Sequence, residues 1–123
     1  MKGNAQIEST MLGYEDHGIM TCFLNLKQDG SGQGFGGYGL DNRPAKDKNG
    51  HRFGDRRPSK LSGFWIKRIL EVVGVEKWED LPGKYVRVDG EEWGEIKGIG
   101  NITKDKWFYP KKEIEELKSE SED

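Results

Sequence analysis

The sequence predicts an α+β fold: a small antiparallel β-sheet or sandwich covered by one main amphipathic helix, with a short second helix. Three observations carry that expectation. From Ile19 to Leu26 the chain alternates, so that Met20, Cys22, Leu24 and Leu26 form one apolar face, the period of a half-buried strand. Asp29-Gly30 follows as a two-residue hairpin signal, because turns that match strand twist need positive φ, which glycine reaches without a Cβ clash. Between Ser59 and Gly74 the apolar residues recur with helical period over a length sufficient to cover a sheet.

In chain order, Gln6–Tyr14 alternates loosely and reads as a strand, and Glu15-Asp16-His17-Gly18 reads as the turn into the next one. Gln33–Leu40 is the returning strand of the hairpin. Its glycines, Gly32-x-Gly34-x-x-Gly37, match the spacing of the dinucleotide fingerprint. That reading fails because no helix opens within the motif; Phe35, Tyr38 and Leu40 are interleaved in strand fashion instead. Two explanations remain open for so many glycines. Either they mark bulges and close strand packing, or a small ligand or second backbone lies against this surface beside Phe35 or Tyr38.

Asn42–Pro58 is a long loop of charged residues and turn formers, and loops of this length are functional or disordered. Across Asn42–Arg68, Arg43, Lys46, Lys48, Arg52, Arg56, Arg57, Lys60, Lys67 and Arg68 stand against only Asp47 and Asp55. With a formal net charge of -2 for the whole chain, the remainder must be strongly acidic. Such a split suits an anion site on an otherwise acidic protein, guanidinium forks being fitted to phosphate oxygens. The main helix has Ser59 as its N-cap, runs over Lys60–Val73 and stops at Gly74. Leu61, Trp65, Ile66, Ile69, Leu70, Val72 and Val73 form its sheet-facing half. Phe64 is expected to project with Lys60, Lys67, Arg68 and Glu71, either to stack on a base or to meet another copy of the chain.

Glu76–Leu81 reads as a short helical turn closed by Pro82-Gly83, and Tyr85–Asp89 as a strand. Asp89-Gly90 offers a further hairpin turn into Trp93–Ile102, where Ile96, Gly98, Gly100 and Ile102 share one face and Asn101 points the other way. An asparagine there can read a base edge or satisfy a turn. Asp105–Pro110 is a last short strand, with Lys104, Lys106, Lys111 and Lys112 around Trp107, Phe108 and Tyr109. Interleaved cations and rings suit nucleotide stacking, or core packing with a lysine rim. Residues 1–112 therefore read as a single ligand-binding domain and 113–123 as an acidic tail, helical or frayed.

With 123 residues and only 33% of them hydrophobic, the core is lean, and association between copies would bury more surface. One cysteine, Cys22 on an apolar strand face, indicates a packed thiol in a reducing compartment. No signal peptide is legible at Met1–Ala5, and no apolar run approaches a membrane span, so a cytoplasmic location and no membrane partner are expected. No nucleophile stands beside an available base. Asp16 and His17 have only His51 as a further imidazole, short of the three or four converging ligands a metal needs. A binder rather than an enzyme is expected, without cofactor or metal.

The segments EDHGIMTCFLNL, GQGFGGYGLD, FWIKRILEVVGVEKWEDLPGKYVRV and GIGNITKDKWF, in this order over most of residues 6–109, resemble phage-encoded proteins of the Thoeris anti-defence type-one family. The resemblance implies a non-enzymatic sponge. Such proteins bind glycocyclic ADP-ribose signals made by bacterial TIR-domain proteins, in pockets at dimer interfaces, and keep them from the defence effector. Some members are hexamers, built as trimers of dimers, that hold cyclic oligonucleotides such as cyclic trinucleotides at separate sites. A homo-oligomer in the cytoplasm of an infected bacterium is implied, with nucleic acid not expected as a partner. A ligand of this kind calls for cations, aromatic platforms and an amide. The candidates are Arg56, Arg57, Lys60, Arg68 and Lys104; Phe35, Phe64, Trp93 and Trp107; and Asn101. The alternative is a small phage β-barrel that binds single-stranded nucleic acid, which the glycine-rich strands and aromatic-basic end would also suit. An inhibitor that docks on a host enzyme is a third class.

Overall fold

The computed structural model describes residues 2–16, 18–44, 46–51, 55–91 and 95–121. Six strands and two helices follow in the order β1 (Lys2–Asp16), β2 (Ile19–Gln28), β3 (Ser31–Gly39), α1 (Lys60–Val73), β4 (Tyr85–Gly90), β5 (Ile96–Gly100), β6 (Trp107–Phe108) and α2 (Pro110–Ser121). All neighbours pair antiparallel in one sheet of order β3-β2-β1-β4-β5-β6, so the fold is α+β. The sheet curls until Cα atoms of β3 and β5 lie within 8 Å of one another. Among the described residues these strands form one six-stranded sheet.

The β2–β3 hairpin turns at Asp29 and Gly30, with φ of 49° and 83°, the positive pair the sequence requires there. Cys22, Leu24 and Leu26 are buried, as the alternation predicts. α1 spans the predicted residues and ends at Gly74, whose φ of 89° lets its N–H close on the Leu70 carbonyl. Trp65, Ile69 and Val72 enter the core, and Trp65 stacks on Phe35 at 5.7 Å between ring centroids. Trp65 also lies directly on Gly36, where a Cβ would come within 2.8 Å of its ring. Gly36 is therefore bare for the protein's own tryptophan and Gly37 is the extra residue of the bulge opposite Cys22 and Phe23, whereas a Cβ at Gly34 or Gly37 would meet nothing within 4 Å.

Three expectations change. The short helical turn is a 3-10 turn at Trp78–Asp80, and the second helix is α2. The boundary expected at 112/113 falls within α2, whose Ile114 is buried, because that helix packs against the open end of the core. Asp89-Gly90 does not make a two-residue hairpin, since β4 continues to Gly90 and β5 begins only at Ile96. A bulge at Lys97 then turns Ile96 to the core side with Ile99, leaving Gly98 and Gly100 on the outer face.

Candidate ligand-binding site

Among the described residues, two clefts open to solvent stand out. The first is built where the long loop returns to α1. Its neck is a backbone bridge between Asn42 and Arg57, with N–H to carbonyl distances of 2.8 and 3.0 Å, and an ion pair in which Arg56 Nε lies 2.8 Å from Asp41 Oδ1. Arg56 also donates to the Asp41 carbonyl at 3.2 Å. Ser59 stands at the N-cap but gives its hydroxyl to the Leu40 carbonyl, so no side chain caps the first N–H groups of α1. No acidic residue occupies the first turn either. The start of the helix, without a side-chain cap, therefore opens into a cleft of about 560 Å³ that Asp41, paired with Arg56, also lines. Its walls combine Lys60 and Lys118 with Pro58, Leu61, Ile114 and Leu117.

The second cleft, about 500 Å³, lies on the outer sheet face between Gly3, Asn4, Arg87, Trp107 and Tyr109. Cross-strand pairing puts Arg87 opposite Gly100 on one side and Asn4 on the other. A Cβ at Gly100 would come within 2.7 Å of the Trp107 ring, and one at Gly98 within 2.6 Å of Tyr109. The two glycines thus form a notch in which these rings lie against the strand, stacked at 5.8 Å and 21°. Arg87 sits over Trp107 at 4.8 Å and is held there by the carbonyls of Asn101 and Lys104, at 2.6 and 2.7 Å. Tyr109 donates to Asp89 at 2.9 Å; desolvation first, then this carboxylate, raises its hydroxyl pKa above the usual tyrosine value.

Of the residues proposed from sequence, Lys60 lines the first cleft, with Arg56 and Arg57 at its neck; Trp107 lines the second, with Lys104 contributing its carbonyl below it. Four are committed to the fold. Phe35 is 1% exposed beneath Trp65. Phe64 does not project among the cations, because β6 covers that flank of α1 and its ring meets Phe108 edge-on at 6.2 Å. Arg68 joins α1 to α2 and β6, donating to Glu113 at 2.8 Å, Glu71 at 3.1 Å and the Trp107 carbonyl at 2.8 Å. Asn101 is buried and bonds the Val72 carbonyl at 2.9 Å. Trp93 lies outside the described residues.

Sequence reading counted Tyr109 among the rings of the aromatic-basic end but passed over Arg87. The alternation of Tyr85–Asp89 does place Arg87 opposite the buried Val86 and Val88, but only the register beside Gly100 gives that position meaning. It also passed over the α2 wall of the first cleft, Ile114 and Leu117, which a reading of 113–123 as a tail hides. Among the described residues no three His, Cys, Asp or Glu side chains group as a metal site, and no helix is long and apolar enough to cross a membrane. What fold and clefts define together is a small α+β domain with two open, mixed polar and apolar depressions. No family model, curated protein or solved structure matches the chain.

Proposed function

We propose that this chain sequesters a small nucleotide-like anion of the cyclic ADP-ribose class and returns it chemically unchanged. The first cleft carries the reading. At about 560 Å³ it falls within the span of small-molecule sites, roughly 300–1,000 Å³. Uncapped N–H groups at the start of α1 and the Lys60 ammonium suit phosphate oxygens, and Pro58, Leu61 and Ile114 offer an apolar wall for a base. The segments that resemble the Thoeris anti-defence family supply the class of ligand, a signal made by TIR-domain enzymes in an infected bacterium. Homo-oligomers and a cytoplasmic location belong to the same proposal.

The test is to incubate the purified chain with the products of a TIR-domain enzyme, remove free small molecules, heat the protein and identify what it releases by mass spectrometry. An intact cyclic ADP-ribose isomer, released in much smaller amount from Lys60→Glu, is the expected result. Release of nothing, or of an altered molecule, overturns it.

A second reading, binding of single-stranded nucleic acid, is favoured by the Arg87–Trp107–Tyr109 stack on the outer sheet face. Its signature is affinity that grows with oligonucleotide length and falls steeply with salt.

A further inference from the structure

A carboxylate is out of place in a cleft proposed for an anion, yet Asp41 lines the first one together with Asn42, Lys60 and Lys118. Its side chain is only 8% exposed, so it is set into the wall and does not stand out from it.

Arg56 does not use this carboxylate up. A guanidinium that meets a carboxylate squarely binds both of its oxygens in a fork. Here Arg56 Nε donates to Oδ1 at 2.8 Å, while Nη2 turns aside to the main-chain carbonyl of Asp41 at 3.2 Å. Oδ2 receives the Met20 N–H at 3.3 Å, a long bond for a charged acceptor. A carboxylate offers about four lone-pair sites. Among the described residues only these two donors, one on each oxygen, take any of them.

The pair with Arg56 also decides what the remaining sites can do. It offsets the negative charge, so that a phosphate can lie close by, and with the Met20 N–H it holds the carboxylate in one orientation. An ionised carboxylate accepts and never donates. Oδ2 therefore calls for a donor on the ligand, and the oxygens of a phosphodiester supply none.

The position of that donor follows from the chain. Ser59, at the start of α1, gives its hydroxyl to the carbonyl of Leu40, the residue before Asp41, so the carboxylate and the helix start belong to one wall. The donor must lie near whatever phosphate Lys60 and the first N–H groups of α1 hold. In a nucleotide the hydroxyls of the ribose that carries the phosphate are that near. The amino group of the base lies farther off, beyond the sugar.

We propose that Asp41 accepts a ribose hydroxyl through Oδ2, and that the first cleft thereby selects ribonucleotide-type ligands over their deoxy analogues. The assignment rests on the nucleotide reading of this cleft and adds the group that recognises the sugar. Phosphate and hydroxyl have separate partners on the wall, the one cationic and donating, the other a fixed acceptor.

Isothermal titration of the full chain tests this, with cyclic ADP-ribose, analogues that each lack one ribose hydroxyl, and inorganic pyrophosphate as probes. At least one deoxy analogue is expected to bind about ten- to a hundred-fold more weakly than cyclic ADP-ribose, the loss of a hydrogen bond to a charged acceptor. Asp41→Asn keeps an oxygen for Arg56 and replaces Oδ2 by an amide nitrogen. In that variant cyclic ADP-ribose loses a similar factor, its advantage over the same analogue shrinks to a few-fold, and pyrophosphate binds no more weakly than before. Equal affinity of the unaltered chain for cyclic ADP-ribose and every deoxy analogue overturns the inference and leaves the cleft a nucleotide site. A variant that loses pyrophosphate as strongly as cyclic ADP-ribose also overturns it, since Asp41 would then only shape the wall. Failure of every probe to bind overturns the nucleotide reading and the inference together. The comparison of ligands is made on the unaltered chain, so it decides the question even where Asp41→Asn does not fold.

Discussion

Asn101 donates from Nδ2 to the Val72 carbonyl at 2.9 Å, tying the end of β5 to the last turn of α1. The same side chain accepts the N–H groups of Thr103 and Lys104 through Oδ1, at 3.0 and 2.8 Å. One buried amide thus satisfies a helix-end carbonyl and folds the following turn, and that turn presents the carbonyls that hold Arg87 over Trp107. Of the two roles the sequence leaves open for Asn101, reading a base edge or satisfying a turn, the side chain fills the second.

Asn101→Ala is expected to lower stability by about 2–3 kcal/mol, because it leaves a buried carbonyl and two N–H groups without partners. Denaturant unfolding measures this. The variant that remains folded should bind the small anion with unchanged affinity, since the first cleft lies at the opposite end of α1. A selective loss of binding with full stability would contradict the structural role.

Gly100→Ala and Gly98→Ala are expected to displace Trp107 and Tyr109, whose rings stand 2.7 and 2.6 Å from where the new methyl would lie. Neither ring can retreat without breaking the stack, so a cost of about 1–3 kcal/mol is expected for each, typical of overpacking. Tryptophan fluorescence should shift to the red in Gly100→Ala. Gly34→Ala is the control, because nothing lies within 4 Å of its added Cβ and its φ is ordinary for an L residue. It should unfold like the parent protein.

These two positions show where the sequence was legible and where it stopped being so. The limits of α1 follow from Ser59 and Gly74, and the β2–β3 turn from Asp29 and Gly30, because each is decided by local backbone chemistry. Phe64 and Arg68 were misread for the opposite reason. Their flank of α1 looks solvent-facing until β6 and α2, more than 35 residues later, fold over it and supply Phe108 and Glu113. The bareness of Gly98 and Gly100 could be read, but not the identity of the rings that fill the gap. In the first cleft, Lys60 was legible by charge. The freedom of its helix terminus was not, since Ser59 has the right type for a cap and spends its hydroxyl elsewhere.

Stability should fall as pH rises from about 9 to 11 through Cys22. Burial lifts its thiol from 9.0 to about 11, an effect partly offset by the neighbouring Trp65 side chain. Below the unfolded value both states hold the proton and nothing is lost. Between the two values only the unfolded chain ionises, which favours unfolding by about 2–3 kcal/mol once the folded value is passed. Cys22→Ala should flatten this part of the melting-temperature profile, whatever its effect at neutral pH. A thiol reagent should react at neutral pH only as fast as the chain unfolds, and rapid labelling of folded protein would refute the burial.

Arg68 and Arg57 should separate stability from binding. Arg68 is 24% exposed and holds Glu113, Glu71 and the Trp107 carbonyl with separate donors, so Arg68→Ala leaves a partly buried carboxylate unpaired and unfastens α2 from α1. A loss of about 1.5–3 kcal/mol is expected, and Arg68→Lys should recover little of it, because one ammonium cannot reproduce the planar fork. Arg57 is exposed and fixed to Asn42 through main-chain bonds alone, so Arg57→Ala leaves the bridge in place and should leave the melting temperature unchanged. Its backbone is bridged to Asn42, which lines the first cleft, so removal of this nearby charge should weaken anion retention several-fold and reduce the salt sensitivity of binding. Melting curves and equilibrium dialysis on the two variants read the halves independently. A destabilised Arg57→Ala, or an Arg68→Ala that melts like the parent protein, would mean that the neck and the helix clasp have been assigned the wrong way round.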